Sequence, residues 1–185
     1  MDHYIDIKLM PDAEMPENVL MNKVYTKLHK VLFDFNADNI GVSFPEYRIK
    51  LGKLLRLHGD LAILNDLQGT DWLGGLGRGY CKVSSILPVP IDAKHRTVSR
   101  KQTTMSQAKL RRLKARGSIS SAAEEKAYIA KMFTQGIDNP YLELESGSNG
   151  HKHRRFIQFG ELTDQPIAGK FDHFGLSKLA TIPWF

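Results

Sequence analysis

Residues 4–34 read YIDIKLMPDAEMPENVLMNKVYTKLHKVLFD, and they predict a strand followed by an amphipathic helix. Apolar and polar residues alternate over 4–9, which is typical of a half-buried strand. From Pro16 onward the apolar residues instead recur with helical spacing, which predicts an amphipathic helix over about 16–34. The residues of this apolar face are Leu20, Val24, Leu28 and Val31.

The segments that follow complete a known order of elements. Residues 39–44 and 53–59 favour two strands, 59–69 favours a second helix, and 79–89 is rich in β-formers. Strand, helix, strand, strand, helix, strand is the split βαβ arrangement of a ferredoxin-like (RRM-like) domain, which we expect over 1–92. The predicted fold class is therefore α+β. Such a fold hosts many activities, so function has to be argued from a site.

The positive charge of the chain is concentrated in one segment. Residues 93–123 carry nine Lys/Arg and no Asp/Glu, whereas 1–92 carry ten Lys/Arg and twelve Asp/Glu. The self-repulsion of such a block is tolerable only where solvent or a polyanion screens it. A phosphate backbone is the natural partner, so the block predicts nucleic-acid binding.

Within this block, 106–118 (SQAKLRRLKARGS) predicts a short cationic helix, here called the arginine helix. Gly117 is expected to end it, because glycine readily adopts the left-handed conformation. Leu110 and Leu113 form a narrow apolar seam. A solvated surface helix is the alternative, although surface helices usually mix both charge signs. The cations are Lys109, Arg111, Arg112, Lys114 and Arg116.

The remaining C-terminal residues predict an α/β region, and we expect a second domain over 93–185. An extended segment over 94–104 precedes the arginine helix, and the capping-box pattern at Ser121 opens a further helix that reaches Thr134. Residues 141–146 and 153–159 alternate as the two strands of a hairpin.

Composition narrows the class of protein. The chain has 185 residues and 42% hydrophobic content, enough for a globular core. Neither a signal peptide nor about 18 consecutive apolar residues is present, so we expect a cytoplasmic protein without membrane contact. The lone Cys81 predicts a buried structural thiol rather than a nucleophile. No zinc spacing is present, and no cofactor is expected.

RNA cleavage is the chemistry that suits a polyanion-binding protein with these residues. The RNA 2′-hydroxyl is a built-in nucleophile, so a base, a group that positions the ribose and stabilisation of the leaving oxygen suffice, without metal. Histidine is the natural base near neutral pH. His29 lies at the edge of the predicted apolar helix face, where a polar side chain is held and still accessible. A structural or surface histidine is the alternative.

The turn of the predicted hairpin adds candidate polar groups. Ser146 and Ser148 enter a Gly-rich turn whose hydroxyls and N–H groups could converge on a ribose or phosphate, although an ordinary hairpin loop has the same composition. His151 and His153 are two residues apart and could form a metal pair. No carboxylate or Cys completes such a site, so a phosphate or base contact suits them better.

Several quoted segments together resemble a known family. MDHYIDIKLMPD, KLHK around His29, IGVSFP, the arginine helix, the Ser-rich turn, GLSK and the terminal PWF resemble the type I-F CRISPR repeat-cleaving endoribonucleases, the Csy-type crRNA-processing family. The resemblance covers the whole chain. It implies metal-independent cleavage at the 3′ base of the repeat hairpin, with a 2′,3′-cyclic phosphate product. It also implies that the enzyme stays bound to the crRNA with the other subunits of a type I-F effector complex.

The resemblance also assigns residues. The general base falls on His29 and the ribose-positioning serine on Ser146, with Ser148 as an assistant. Base-edge readers fall on Arg100 and Gln102, and groove readers on Arg112 and Arg116. The phosphate contacts are then Lys109, Arg111 and Lys114.

Three positions depart from the family pattern. Ala115 replaces a helix cation, and His153 stands where an aromatic residue stacks under the last base pair. Phe174 replaces a tyrosine, and without a hydroxyl we expect it not to orient the base.

Two other functions remain open from the sequence. The first is a non-catalytic RNA-hairpin-binding subunit of a ribonucleoprotein, which would use the arginine helix for assembly. The second is a DNA-binding protein with this helix in a B-form major groove. It is less favoured because no helix-turn-helix or dimer pattern accompanies the helix.

Overall fold

The computed structural model describes residues 1–102, 105–134, 139–145, 150 and 152–185, over which helices and strands are mixed along the chain. The strands are β1 His3–Leu9, β2 Gly41–Ser43, β3 Leu54–Gly59, β4 Cys81–Val83, β5 Leu87–Pro88, β6 Lys94–Arg96, β7 Val98–Lys101, β8 Tyr141–Glu145, β9 Lys152–Phe159 and β10 Ile182–Trp184. The helices are α1 Glu17–Asp34, α2 Leu61–Gly69, α3 Gly75–Tyr80, α4 Gln107–Ala115 and α5 Ala122–Thr134.

The N-terminal sheet has the strand order β2-β3-β1-β4, and β5 pairs with the other end of β1. All of these neighbours are antiparallel. The predicted succession of strands and helices is therefore found. The exception is α3, which contains three glycines, residues of low helix propensity, and so shows no helical pattern in the sequence.

Helix α1 covers this sheet with the apolar face that the spacing predicts. Leu20, Val24 and Leu28 are fully buried, and Val31 is nearly so. On the sheet, Ile5 and Ile7 of β1 are 1% exposed, which agrees with the alternation over 4–9. The first core of the protein thus lies between α1 and β1 to β3, and it fixes which face of α1 meets solvent.

A second, three-stranded sheet has the order β7-β9-β8, again antiparallel. Strands β8 and β9 confirm the predicted hairpin. Their buried face carries Leu142, Leu144 and Ile157. The connecting residues 146–149 and 151 lie outside the described residues.

The C-terminal tail packs back on the N-terminal sheet. Strand β10 pairs with β6, and the N–H groups of Val42 and Phe171 donate to the carbonyl oxygens of Gly175 and Asp38. One continuous core includes residues of both halves of the chain. The domain boundary between 92 and 93 stays a prediction.

The ends of α4 follow the sequence signals. The Ser106 hydroxyl accepts from the N–H of Lys109, and Gly117 has φ +73°. Beyond it the Ser118 N–H donates to the Leu113 carbonyl and the Gly117 N–H to the Lys114 carbonyl, the Schellman pattern that satisfies the last carbonyls of a helix. Helix α4 therefore begins and ends where predicted.

The capping box at the start of α5 is also confirmed. The Ser121 hydroxyl accepts from the N–H of Glu124, whose carboxylate accepts from the N–H of Ser121 in return. The Ser120 N–H donates to the same carboxylate, and these hydrogen bonds hold the pKa of Glu124 below its usual range.

Cys81 is buried, as predicted for a structural thiol, and burial raises its pKa. Within the described ranges, no group of three or more His, Cys, Asp or Glu side chains is placed to hold a metal ion. Nor does any helix of the described residues have the length and apolar character to cross a membrane.

Candidate active site

His29 lies on α1, half-buried at the edge of the apolar face. Its Nδ1 is 2.9 Å from the backbone carbonyl oxygen of His173. Because a carbonyl oxygen only accepts hydrogen bonds, Nδ1 carries the proton in this contact. In the neutral ring Nε2 is then left with its lone pair. The contact therefore holds His29 in the tautomer that a general base at Nε2 requires.

Phe174 fixes the plane of the His29 ring. The two rings stack with centroids 3.6 Å apart and an interplanar angle of 11°. The expectation that Phe174 cannot orient the His29 side chain is therefore wrong. A hydroxyl is not the only group that can orient the imidazole, because the aromatic face of Phe174 restricts the ring by stacking on it.

The turn that carries Phe174 is built for one conformation. A carboxylate oxygen of Asp172 accepts from the N–H groups of Phe174 and Leu176. Gly175 has φ +69°, and a Cβ placed on it would lie 2.6 Å from a methyl group of Val42. Only glycine fits this position, so residues 172–176 keep a fixed path beside α1.

Tyr25, one helical turn before His29, ties this turn to α1. Its hydroxyl donates to the carbonyl oxygen of Phe174 at 2.6 Å, and its ring is fully buried. Burial raises the pKa of Tyr25 above its ordinary value, with Asp172 adding to the rise, so the hydroxyl stays a donor. Helix α1 thus holds the turn through Tyr25 and His29 together.

Arg155 of β9 also contacts Phe174, a contact that no sequence pattern indicates. Its guanidinium carbon lies 3.5 Å from the centroid of the Phe174 ring. Only 7% of the residue is exposed, and burial, with Arg100 nearby, lowers its pKa. The signal for its burial was the alternation along 153–159, but an arginine in such a strand is usually assigned to solvent.

Two predicted RNA-binding residues share one face of the second sheet with Arg155. Alternate residues of a strand point to the same face, and so do directly paired residues of neighbouring strands. His153 is therefore on the face of Arg155 and Ile157, and Arg100 joins it because Arg100 pairs with Ile157. Arg100 and His153 are exposed, as is Gln102 directly after β7.

The arginine helix presents its cations to solvent. Leu110 is 2% exposed and anchors α4, while Leu113 is half-buried. Lys114 forms an ion pair with Glu125 of α5 at 2.7 Å, so a phosphate that binds Lys114 has to compete with this carboxylate. The exposed cations of the helix and its C-cap are Lys109, Arg111, Arg112, Lys114 and Arg116.

Two other sets of candidates have a different outcome. Ser146, Ser148 and His151 lie outside the described residues, so their roles stay predictions.

His58 is fully buried, and burial keeps its pKa well below the ordinary value. Its Nε2 lies 2.8 Å from the Ser43 hydroxyl. This buried pair has no path to a substrate and is structural.

Comparisons with known proteins agree with the resemblance. A family model described as CRISPR-associated protein (Cas_Csy4) matches residues 4–185. The chain is 39% identical over 188 residues to the CRISPR-associated endonuclease Cas6/Csy4 of Escherichia coli (strain UTI89 / UPEC). It is 38% identical over 188 residues to the protein of the same name from Pseudomonas aeruginosa (strain UCBPP-PA14). Both alignments cover 100% of each chain.

A solved structure of the CRISPR endoribonuclease Cse3 bound to 19 nt RNA is a more distant match. It aligns with a TM-score of 0.38 and 14% identity over 99% of this chain and 100% of that chain. A similarity this low says nothing about the site.

The family model and the two full-length relatives confirm the resemblance. The chain belongs to the Cas_Csy4 family of CRISPR-associated endonucleases.

Proposed function

We propose that the protein cleaves CRISPR precursor RNA at the 3′ base of the repeat hairpin without metal and leaves a 2′,3′-cyclic phosphate. The observation that carries this proposal is the hydrogen bond from His29 Nδ1 to the His173 carbonyl, which leaves Nε2 as the basic nitrogen. After cleavage the protein stays bound to the crRNA and joins the other subunits of a type I-F effector complex.

The chemistry needs only groups that the protein and the RNA supply. His29 Nε2 takes the proton of the 2′-hydroxyl, and the oxygen attacks the adjacent phosphorus. The bond to the 5′ oxygen breaks, that oxygen takes a proton from water, and the His29 imidazolium returns its proton to solvent. Ser146 is assigned to hold the ribose so that attacking and leaving oxygens are in line, with Ser148 assisting.

The arginine helix is assigned to the RNA stem. Helix α4 has 9 residues and is about 14 Å long at 1.5 Å per residue. An A-form major groove is normally too narrow to read, so the helix has to enter near the end of a short stem, where the groove opens. Arg112 and Arg116 then reach guanine edges in bidentate fashion. The phosphate contacts are Lys109, Arg111 and Lys114.

The base of the stem is assigned to the part of the second sheet where Arg100, Gln102 and His153 are exposed. Arg100 and Gln102 read base edges there, and His153 stacks under the last base pair. Residues 1–92 form a ferredoxin-like domain in this proposal, supported by the order β2-β3-β1-β4. That domain presents His29, and residues 93–185 grip the stem and supply Ser146, with Phe174 beside His29.

Cleavage of the cognate repeat hairpin in EDTA tests the proposal. We expect wild type to cut the RNA and leave a cyclic phosphate, which mass spectrometry detects. A 2′-deoxy substitution at the cut nucleotide and His29→Ala should each stop cleavage while binding persists. His3→Ala, a histidine of β1 that contacts Asp2, is the control and should cleave normally. RNA that is bound but left intact by wild type would instead support the non-catalytic subunit.

A further inference from the structure

Three planar side chains form one stack in this site. The Arg155 guanidinium carbon and the His29 ring centroid lie 3.5 Å and 3.6 Å from the centroid of the Phe174 ring. Two groups this close to one centroid would overlap if they shared a face of the ring. Phe174 is therefore sandwiched, with Arg155 behind it and His29 in front.

Arg155 is in an unfavourable place for a cation unless this stack compensates it. Within the part of the chain that the structure describes, no carboxylate forms an ion pair with it. Its Nε is buried without a hydrogen-bond partner among the same residues. Burial of a charge without a partner destabilises a fold. Attraction to the face of Phe174, and to Asp172 at longer range, offsets this cost.

We propose that Arg155 is a positioning residue for the general base and acts through Phe174. Its guanidinium closes the rear face of the Phe174 ring, so the ring cannot retreat from His29. The imidazole is then confined between the Phe174 ring and the His173 carbonyl. The catalytic consequence rests on the proposed function, whereas the confinement of the ring is a property of the free protein.

A direct contact between Arg155 and an RNA phosphate is the competing role. Two observations disfavour it. The Phe174 ring lies between Arg155 and His29, and only 7% of Arg155 is exposed. The neighbouring Arg154, by contrast, has 53% of its side chain exposed, beside Glu143 and over the ring of Tyr141.

The first test is the NMR signal of the His29 ring in the RNA-free protein. A ring stacked on an aromatic face has its C–H protons shifted upfield. We expect Arg155→Met to reduce this shift, Arg155→Lys to preserve more of it because an ammonium also attracts the ring face, and Arg154→Met to leave it unchanged. An unaltered His29 signal in a folded Arg155→Met protein would overturn the proposal.

The second test is single-turnover cleavage. We expect Arg155→Met to slow the reaction about tenfold, within the range that misplacement of a catalytic group costs, and to leave RNA affinity within about twofold. In a Phe174→Leu background the same substitution should add little, because Arg155 then has no ring to hold. The proposal would be contradicted if Arg155→Met slowed cleavage by the same factor in the Phe174→Leu background as in wild type. It would also be contradicted if Arg155→Met lowered RNA affinity instead of the cleavage rate.

The two hypotheses fail in different ways. If wild type leaves the RNA intact, the proposed function fails. The NMR test in the RNA-free protein still shows whether Arg155 holds Phe174 against His29. If wild type cleaves and a folded Arg155→Met protein matches its rate, only the positioning role is lost. Should Arg155→Met unfold, which circular dichroism reveals, Arg155→Lys carries the comparison. It should show a smaller upfield shift of the His29 ring and slower cleavage than wild type, and a match to wild type in both would contradict the proposal.

Discussion

The His29 site and the arginine helix have opposite designs. His29 and the turn 172–176 are held at the edge of the core by a ring stack, a buried hydroxyl and a left-handed glycine. The arginine helix is anchored chiefly by Leu110 and leaves its cations in solvent. Chemistry requires a group that is fixed before the substrate arrives, whereas a phosphate backbone is attracted by charges that adjust on contact.

This difference predicts that substitutions in the site change rate and those in the helix change affinity. The largest expected effect is that of His29→Ala. Loss of a general base costs about 10²- to 10⁴-fold in rate, and RNA affinity should hold because the cations are untouched. Rapid-quench cleavage and filter binding measure the two quantities. A parallel fall in affinity would erase the contrast between the two regions.

Gly175→Ala is expected to damage the site through the fold. A methyl group there meets Val42 and strains a backbone at φ +69°, which together cost about 2–4 kcal/mol of unfolding free energy. Urea denaturation measures this change. Gly79→Ala in α3 is the matched control, because apart from its own helix and chain neighbours no described atom lies within 4 Å of the added carbon. Equal stability of the two variants would mean that the turn is not constrained.

Two variants of the arginine helix test its role in RNA binding: Arg112→Ala and Arg116→Ala. By analogy with base-edge contacts to DNA, each should weaken hairpin binding by about 1–3 kcal/mol and reduce discrimination against altered stems. The cleavage rate at saturating protein should change little. Titrations with cognate and base-substituted hairpins measure both effects. Losses of the same size on every RNA would assign these residues to phosphates.

Glu125→Gln gives the smallest effect. It removes the ion-pair partner of Lys114, and exposed pairs of this kind contribute about 0–1 kcal/mol to stability. The freed Lys114 should bind phosphate better, which raises affinity slightly and steepens its dependence on salt. A salt titration of binding detects this. If salt dependence stays the same, Lys114 does not contact the RNA.

The elements with regular periodicity could be predicted from the sequence. Strand β1, α1 and the caps of α4 and α5 follow local rules of spacing and hydrogen bonding, so neighbouring residues suffice. Helix α3 could not be predicted from the sequence, because glycine has a low helix propensity. The strand order of the N-terminal sheet agrees with the predicted succession because short connections leave few alternatives.

The candidate site was predictable in its residue types more than in its contacts. The place of His29 at the edge of the apolar helix face could be predicted from its spacing, whereas its role as the base came only from the resemblance and stays a proposal. Its partner His173 is 144 residues away in the sequence. No local pattern indicates such a contact. The contacts of Phe174 and Arg155 could not be predicted for a related reason: they depend on which side-chain faces pack together, which residue type alone does not reveal.

The tautomer of His29 decides whether its Nε2 is available as a base in the free protein. Nitrogen-15 NMR of the neutral imidazole in the RNA-free protein distinguishes a protonated from an unprotonated ring nitrogen. The hydrogen bond to the His173 carbonyl predicts a protonated Nδ1 and an unprotonated Nε2. A ring protonated at Nε2 would contradict the assignment of this nitrogen as the general base.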